Sequence, residues 1–136
     1  MKTHIETAYA PRPIGPYSQA VRIGDTIQVA GQVGIDPQTG SLAGATAYEQ
    51  TVQALRNIRA ILREAGADFD DVLMLRVYLH APEEFGELNR AFEENLSAPY
   101  PARTTLFGGL PTGLLVEIDA LAILSGTGGQ PCGSIT

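Results

Sequence analysis

The run VLMLRVYLH, Val72 to His80, constrains the fold most, because it alternates like a strand yet is apolar on both sides. Leu73, Leu75, Val77 and Leu79 face one way, and Val72, Met74, Arg76, Tyr78 and His80 face the other. Such a strand needs cover on both faces of its sheet. Either the rest of the chain supplies that cover or a partner does.

The chain's own supply is limited. Between Ala45 and Ala65, apolar residues at Tyr48, Val52, Leu55, Ile58, Ile61, Leu62 and Ala65 have the spacing of a helix with one buried stripe, and Gly66 is placed to end it. Pro82, Glu83 and Glu84 suit the start of a second helix, with Phe85, Leu88, Phe92 and Leu96 as its stripe. YSQAVRI and TIQVAGQV flank Gly24 and Asp25, a two-residue hairpin connection, and DPQTG at Asp36 to Gly40 reads as a turn. After Pro99 and Pro101 come two last strands, about Arg103 to Phe107 and Leu114 to Leu124, joined by GGLPTG. The first 16 residues, with Pro11, Pro13 and Pro16, read as an irregular loop. The predicted order is ββαβαββ, an α+β domain with two helices on one face of a sheet. The uncovered face then calls for another copy of the chain in a closed symmetric oligomer, with a site using Arg103 between subunits.

At 136 residues the chain fits one domain, expected over residues 1–124, followed by a flexible Gly-rich tail over 125–136. Its net charge is −6 and the nine basic residues are scattered, which opposes phosphate backbones and anionic lipid surfaces. Nucleic acid and membrane are therefore not expected as partners. No basic stretch followed by an apolar one opens the chain and no long apolar run follows, so a cytoplasmic protein is expected. Cys132 is the only cysteine, which rules out an internal disulfide, and it reads as an incidental thiol.

The chemistry is sought in PARTTLFGGLPTGLLVEIDALAIL, Pro101 to Leu124, where Arg103 and Glu117 stand inside runs that otherwise read as buried strand. A charge among core residues is costly without a partner, and these two, 14 residues apart, are candidates for one pocket. The plain structural alternatives are an Arg103 paired with Asp119 or a carbonyl, and a Glu117 on a solvated face with Asp119. Leu115, Leu121 and Ile123 share the face of Glu117, however, so that face is not simply solvated, and a carboxylate there suits acid–base work. A rigid guanidinium at a strand start can grip a substrate carboxylate through two parallel hydrogen bonds. Tyr17 and Asn89 are weaker candidates, read equally well as a packed aromatic and a capping or packing residue. Gly31, Gly34, Gly108 and Gly109 mark bulges or bends and also permit close approach to a small ligand. His4 and His80 lie far apart, and no metal-binding spacing, GxSxG elbow or nucleotide fingerprint is present, so neither metal nor cofactor is expected.

Several of these segments together resemble the Rid proteins, the YjgF-type reactive intermediate deaminases: IGPYSQAV, VAGQVGIDPQTG, EQTVQALRNIRAILREAGA, FGELNRAFEENL, and above all PARTT followed by LVEIDALAI. The resemblance runs nearly end to end. It implies a chorismate-mutase-like fold with a mixed β-sheet, assembled as a homotrimer with three clefts between neighbouring subunits. It further implies hydrolysis of reactive 2-enamine or 2-imino acids, of the 2-aminoacrylate type, to 2-keto acids and ammonia without a cofactor. Carried over by motif, Arg103 would bind the substrate carboxylate, Glu117 would activate water, and Tyr17, Ala30, Gly31, Asn89 and the main chain at Thr105 would line the cleft. Three features depart from the usual pattern: Ala30 replaces a serine, Thr105 replaces a cysteine, and the GGLPTG loop is one residue shorter. An enzyme for another enamine, such as an aminomuconate-like intermediate, and a non-catalytic ligand-binding trimer are the competing expectations.

Overall fold

The computed structural model of the chain describes residues 1–125, so the expectations for Cys132 and for a flexible tail lie outside the described residues. Six strands form one sheet in the order β1-β2-β3-β6-β4-β5. They are β1 (Thr3–Ile5), β2 (Ala20–Ile23), β3 (Thr26–Val33), β4 (Val72–Leu79), β5 (Ala102–Phe107) and β6 (Val116–Ile123). Only β4 and β5 run parallel, which makes the sheet mixed, as expected. The helices are α1 (Ala47–Glu64) and α2 (Phe85–Asn95), the latter entered through a short 3-10 turn at Pro82–Glu84.

Local chemistry fixes the ends of α1. Thr46 Oγ1 accepts from the Glu49 amide at 3.1 Å while Glu49 Oε1 accepts from the Thr46 amide at 3.3 Å, a capping box that satisfies two helix-start donors. Gly66, at φ +81°, stops the helix in a conformation that side chains resist. The stripe of Leu55, Ile58, Ile61 and Leu62 is fully buried against Ile27, Val29, Leu75, Val77, Leu79, Val116 and Ile118 of the sheet. Each such side chain contributes roughly 1.5–3 kcal/mol.

The helix also buries polar residues that a stripe reading does not foresee. Gln50 accepts from Leu115 N at 2.9 Å and donates to the Gly44 and Gly113 carbonyls, which ties the approach to β6 down onto α1. Asn57 donates to the Val33 and Ile35 carbonyls at 3.2 and 2.9 Å. Each amide is buried with its partners, so it specifies register at little desolvation cost. Gly34 is required here, since a Cβ on it would lie 2.6 Å from the Gln50 Cα.

Three expectations need correction. Thr3–Ile5 is not loop but an edge strand antiparallel to β2, with Ile5 buried; three residues are too few for their alternation to be read, and the prolines begin only at Pro11. At the start of β4 a register slip sets Val72 opposite Ala122 and Met74 opposite Leu121, so Val72 is buried and Leu73 is 54% exposed, the reverse of the alternation predicted there. From Leu75 onward the predicted faces hold. Phe85, placed in the buried stripe of α2, is 40% exposed, because it stands in the first turn of α2 beside Arg103 rather than over the core.

On the face away from the helices, β4 presents Met74, Arg76 and Tyr78, β6 presents Glu117, Asp119 and Leu121, and β5 presents Leu106. All are half-buried or exposed. Arg76 pairs with Asp119 across this face at 3.0 Å, and the hydrogen bond to Asp119 raises the pKa of Arg76.

Candidate functional site

Parallel pairing with β4 sets Arg103 beside Leu75 and Thr105 beside Val77, which puts both on the helix-covered side at the edge of the sheet. The Arg103 guanidinium carbon lies 4.9 Å from the centre of the Phe92 ring and 5.3 Å from that of Phe85, so aromatic faces flank the charge. Burial alone lowers its pKa, and among the described residues no carboxylate or carbonyl takes a hydrogen bond from it. The plain alternative for Arg103 fails, since Asp119 is committed to Arg76 on the opposite face. The guanidinium nevertheless stays charged at neutral pH, so it is a half-buried cation without a counter-ion among the described residues. Asn89, Phe92, Glu93, Tyr100 and Pro101 enclose with it a cavity of about 300 Å³.

Glu117 sits between Val33 and Tyr78 on the open face. The room for it comes from β3, where the pairing with β6 slips between Val29 and Gln32 and leaves Ala30 and Gly31 as a bulge. A Cβ on Gly31 would overlap the Glu117 carboxylate and push it aside, so glycine leaves the carboxylate this place, and its backbone angles do not call for glycine. The carboxylate is half-buried in a cleft of about 500 Å³ with Tyr78, Leu106, Gly108 and Asp119, and it has no donor among the described residues. Tyr17, 52% exposed, lines a small cavity of about 120 Å³ with Gly31, and its hydroxyl accepts from the Ile14 amide at 3.3 Å.

The structure thus sorts the candidates into two groups. Arg103 and Asn89 share one cavity, with Thr105 two residues further along β5. Tyr17, Ala30, Gly31 and Glu117 gather around the β3 bulge. Arg103 and Glu117 do not share a pocket within one protomer, because the pairings of β5 and β6 with the β4 that lies between them place the two on opposite faces of the sheet. Phe85, Phe92 and Tyr78 belong to these groups and were not read as site residues. The signal for the first two was the i, i+4, i+7 spacing of Phe85, Asn89 and Phe92, which puts all three on one face of α2.

A chain with this fold and these two half-buried charges has recognisable relatives. The sequence profile described as Endoribonuclease L-PSP matches residues 7–124, and the chain belongs to that family, the YjgF or Rid family. A RutC family protein of Pyrococcus abyssi is 43% identical over 122 residues, 89% of this chain and 96% of that protein. The 2-iminobutanoate/2-iminopropanoate deaminase of Mus musculus is 42% identical over 120 residues, 88% of this chain and 89% of that protein. The crystal structure of RidA from an Antarctic Psychrobacter superimposes with a TM-score of 0.85 at 40% identity, covering 90% of this chain and 99% of that one.

Proposed function

We propose that this chain is a cofactor-independent deaminase of small 2-imino acids, working as a homotrimer whose clefts join the Arg103 side of one protomer to the Glu117 side of the next. The observation that carries the reading is the pair of half-buried, unpartnered charges. Each is costly alone, and each is matched by one end of an imino acid and its attacking water. The deaminase activity named for the mouse relative supplies the substrate class. The open face of the sheet, with Met74, Leu106 and Leu121 incompletely buried, supports assembly with further copies. The net charge of −6 and the absence, among the described residues, of a helix long and apolar enough to cross a membrane agree with a small-molecule enzyme of the cytoplasm.

In this site Arg103 takes the substrate carboxylate in two parallel hydrogen bonds, and Phe85 and Phe92 keep the guanidinium from turning. That contact fixes C2 of the imine in the cleft and lowers the entropic cost of attack. Glu117 accepts a proton from water as the water oxygen bonds to C2 and the C=N electron pair moves to nitrogen. Glu117 returns that proton to the nitrogen, the hydroxyl proton then passes to the nitrogen through solvent as the C–N bond breaks, ammonia leaves, and the hydroxyl oxygen becomes the keto oxygen. An enamine enters the same path once a proton on its terminal carbon has made it the imine. The electrophile is already in the substrate, so two side chains suffice.

The test generates 2-aminoacrylate in situ with a serine dehydratase and follows keto-acid formation. Wild type is expected to accelerate it, Arg103→Ala and Glu117→Gln to lose the acceleration. Mixing the two inactive variants with subunit exchange is expected to restore about a quarter of the sites, because random pairing in a cyclic trimer reunites an intact Arg103 side with an intact Glu117 side in that fraction. Absence of wild-type acceleration refutes catalysis, and absence of recovery in the mixture refutes the shared cleft.

A further inference from the structure

Gln19 is 2% exposed, and its side chain is saturated with hydrogen bonds to a single stretch of chain. Its Oε1 accepts from the Thr7 amide at 2.8 Å. Its Nε2 donates to the carbonyls of Thr7, Ala10 and Pro11 at 3.1, 3.2 and 2.9 Å. Three acceptors around the nitrogen and one donor at the oxygen fix which way the amide points. The main-chain carbonyl of Gln19 meanwhile accepts from Ala30 N at 2.8 Å, the bulge residue next to Gly31.

What these bonds hold is a segment with little means of holding itself. Pro11, Pro13 and Pro16 have no N–H to give, and residues 6–19 form no strand or helix. Yet Pro11, Pro13 and Ile14 form part of the wall of the cavity of about 120 Å³ that Tyr17, Gln19 and Gly31 also line. The side chain of Gln19 therefore fixes that wall, while its main chain fixes the bulge that gives Glu117 its room.

We propose that Gln19 is a positioning residue, setting the wall around Tyr17 and the Ala30–Gly31 bulge beneath Glu117 relative to one another. The inference rests on the deaminase reading of the Glu117 side and adds to it a residue that acts through the segments it holds. It separates Gln19 from an ordinary buried amide, whose loss reduces the number of folded molecules without changing those that remain.

Gln19→Leu removes all four side-chain bonds at similar volume, and Gln19→Asn keeps an amide one methylene short of its partners. With 2-iminobutanoate generated in situ, KM is expected to rise about tenfold or more in either variant, with a smaller fall in kcat, since small displacements of a site wall cost that much. A variant of wild-type mass whose KM is unchanged overturns the proposal, while a wild type active alongside it leaves the deaminase reading standing. Amide hydrogen exchange on the wild type decides the matter without a variant. Saturation with 2-oxobutanoate, the inert keto product, is expected to slow exchange at Thr7 and Ala30 together. Unchanged exchange at both overturns the proposal, whether or not the wild type turns over.

Discussion

On the helix-covered face of the sheet Val77, Leu79, Val116 and Ile118 are fully buried, whereas their strand neighbours on the other face, Tyr78, Glu117 and Asp119, are only half-buried. On the covered side the intruding polar groups Gln50 and Asn57 find partners within the chain. Across the sheet, Asp119 finds Arg76, but Glu117 finds no donor among the described residues. The covered face is finished by its own two helices. The open face is left half-buried or exposed within the protomer. Arg103 shows that the division is not simply dry against wet, since it lies on the covered side, at the sheet edge, and is also unpartnered.

Substitutions can break that contrast. Glu117→Gln is expected to cut the deamination rate by about 10²–10⁴ while the melting temperature stays near wild type, because in the proposed mechanism the carboxylate does acid–base work and it takes no hydrogen bond from the described residues. A melting temperature that falls with the rate would place Glu117 among the structural residues instead. Leu75→Ala, on the covered face, is expected to cost about 2–5 kcal/mol in denaturant unfolding and to leave the assembly's mass unaltered. Leu121→Asp, on the open face, is expected to lower the light-scattering mass from three times the chain's 14.4 kDa to that of one chain, with activity lost alongside. A variant that keeps the threefold mass would show that this face is not the interface.

The smallest effect belongs to Asp68, beyond the end of α1. Partial burial raises its pKa, but hydrogen bonds from Arg59, the Phe69 amide and Arg63 outweigh that and leave it below the ordinary aspartate value. The folded value being the lower, its stabilisation is complete above the unfolded-state pKa and is lost as pH falls through the folded one. Thermal melts down an acid series should therefore show a decline at low pH that Asp68→Asn reduces. Because the carboxylate is 39% exposed, the difference should be slight.

Much of this was legible in the chain as written. The stripe of α1 and its stop at Gly66, the Gly24–Asp25 hairpin, and the apolar set of Val116, Ile118, Ala120 and Ala122 are period and turn chemistry, which act over a few residues. The three-residue β1, the slip that exchanges Val72 and Leu73, and the displaced Phe85 were not legible, because each depends on which strand or side chain lies opposite. Gln19 was hidden for the same reason, its partners lying 8 to 12 residues away in an irregular segment.

The chain by itself determined its longer elements, most of their buried stripes and the identities of Arg103 and Glu117 as charges out of place, because hydrophobic period and turn preference are local properties. Only the tertiary structure decided that these two charges look out from opposite faces of one sheet. Face is set by register across β4, β5 and β6, and a parallel crossover through α2 and a bulge in β3 are counted out in space rather than along the sequence.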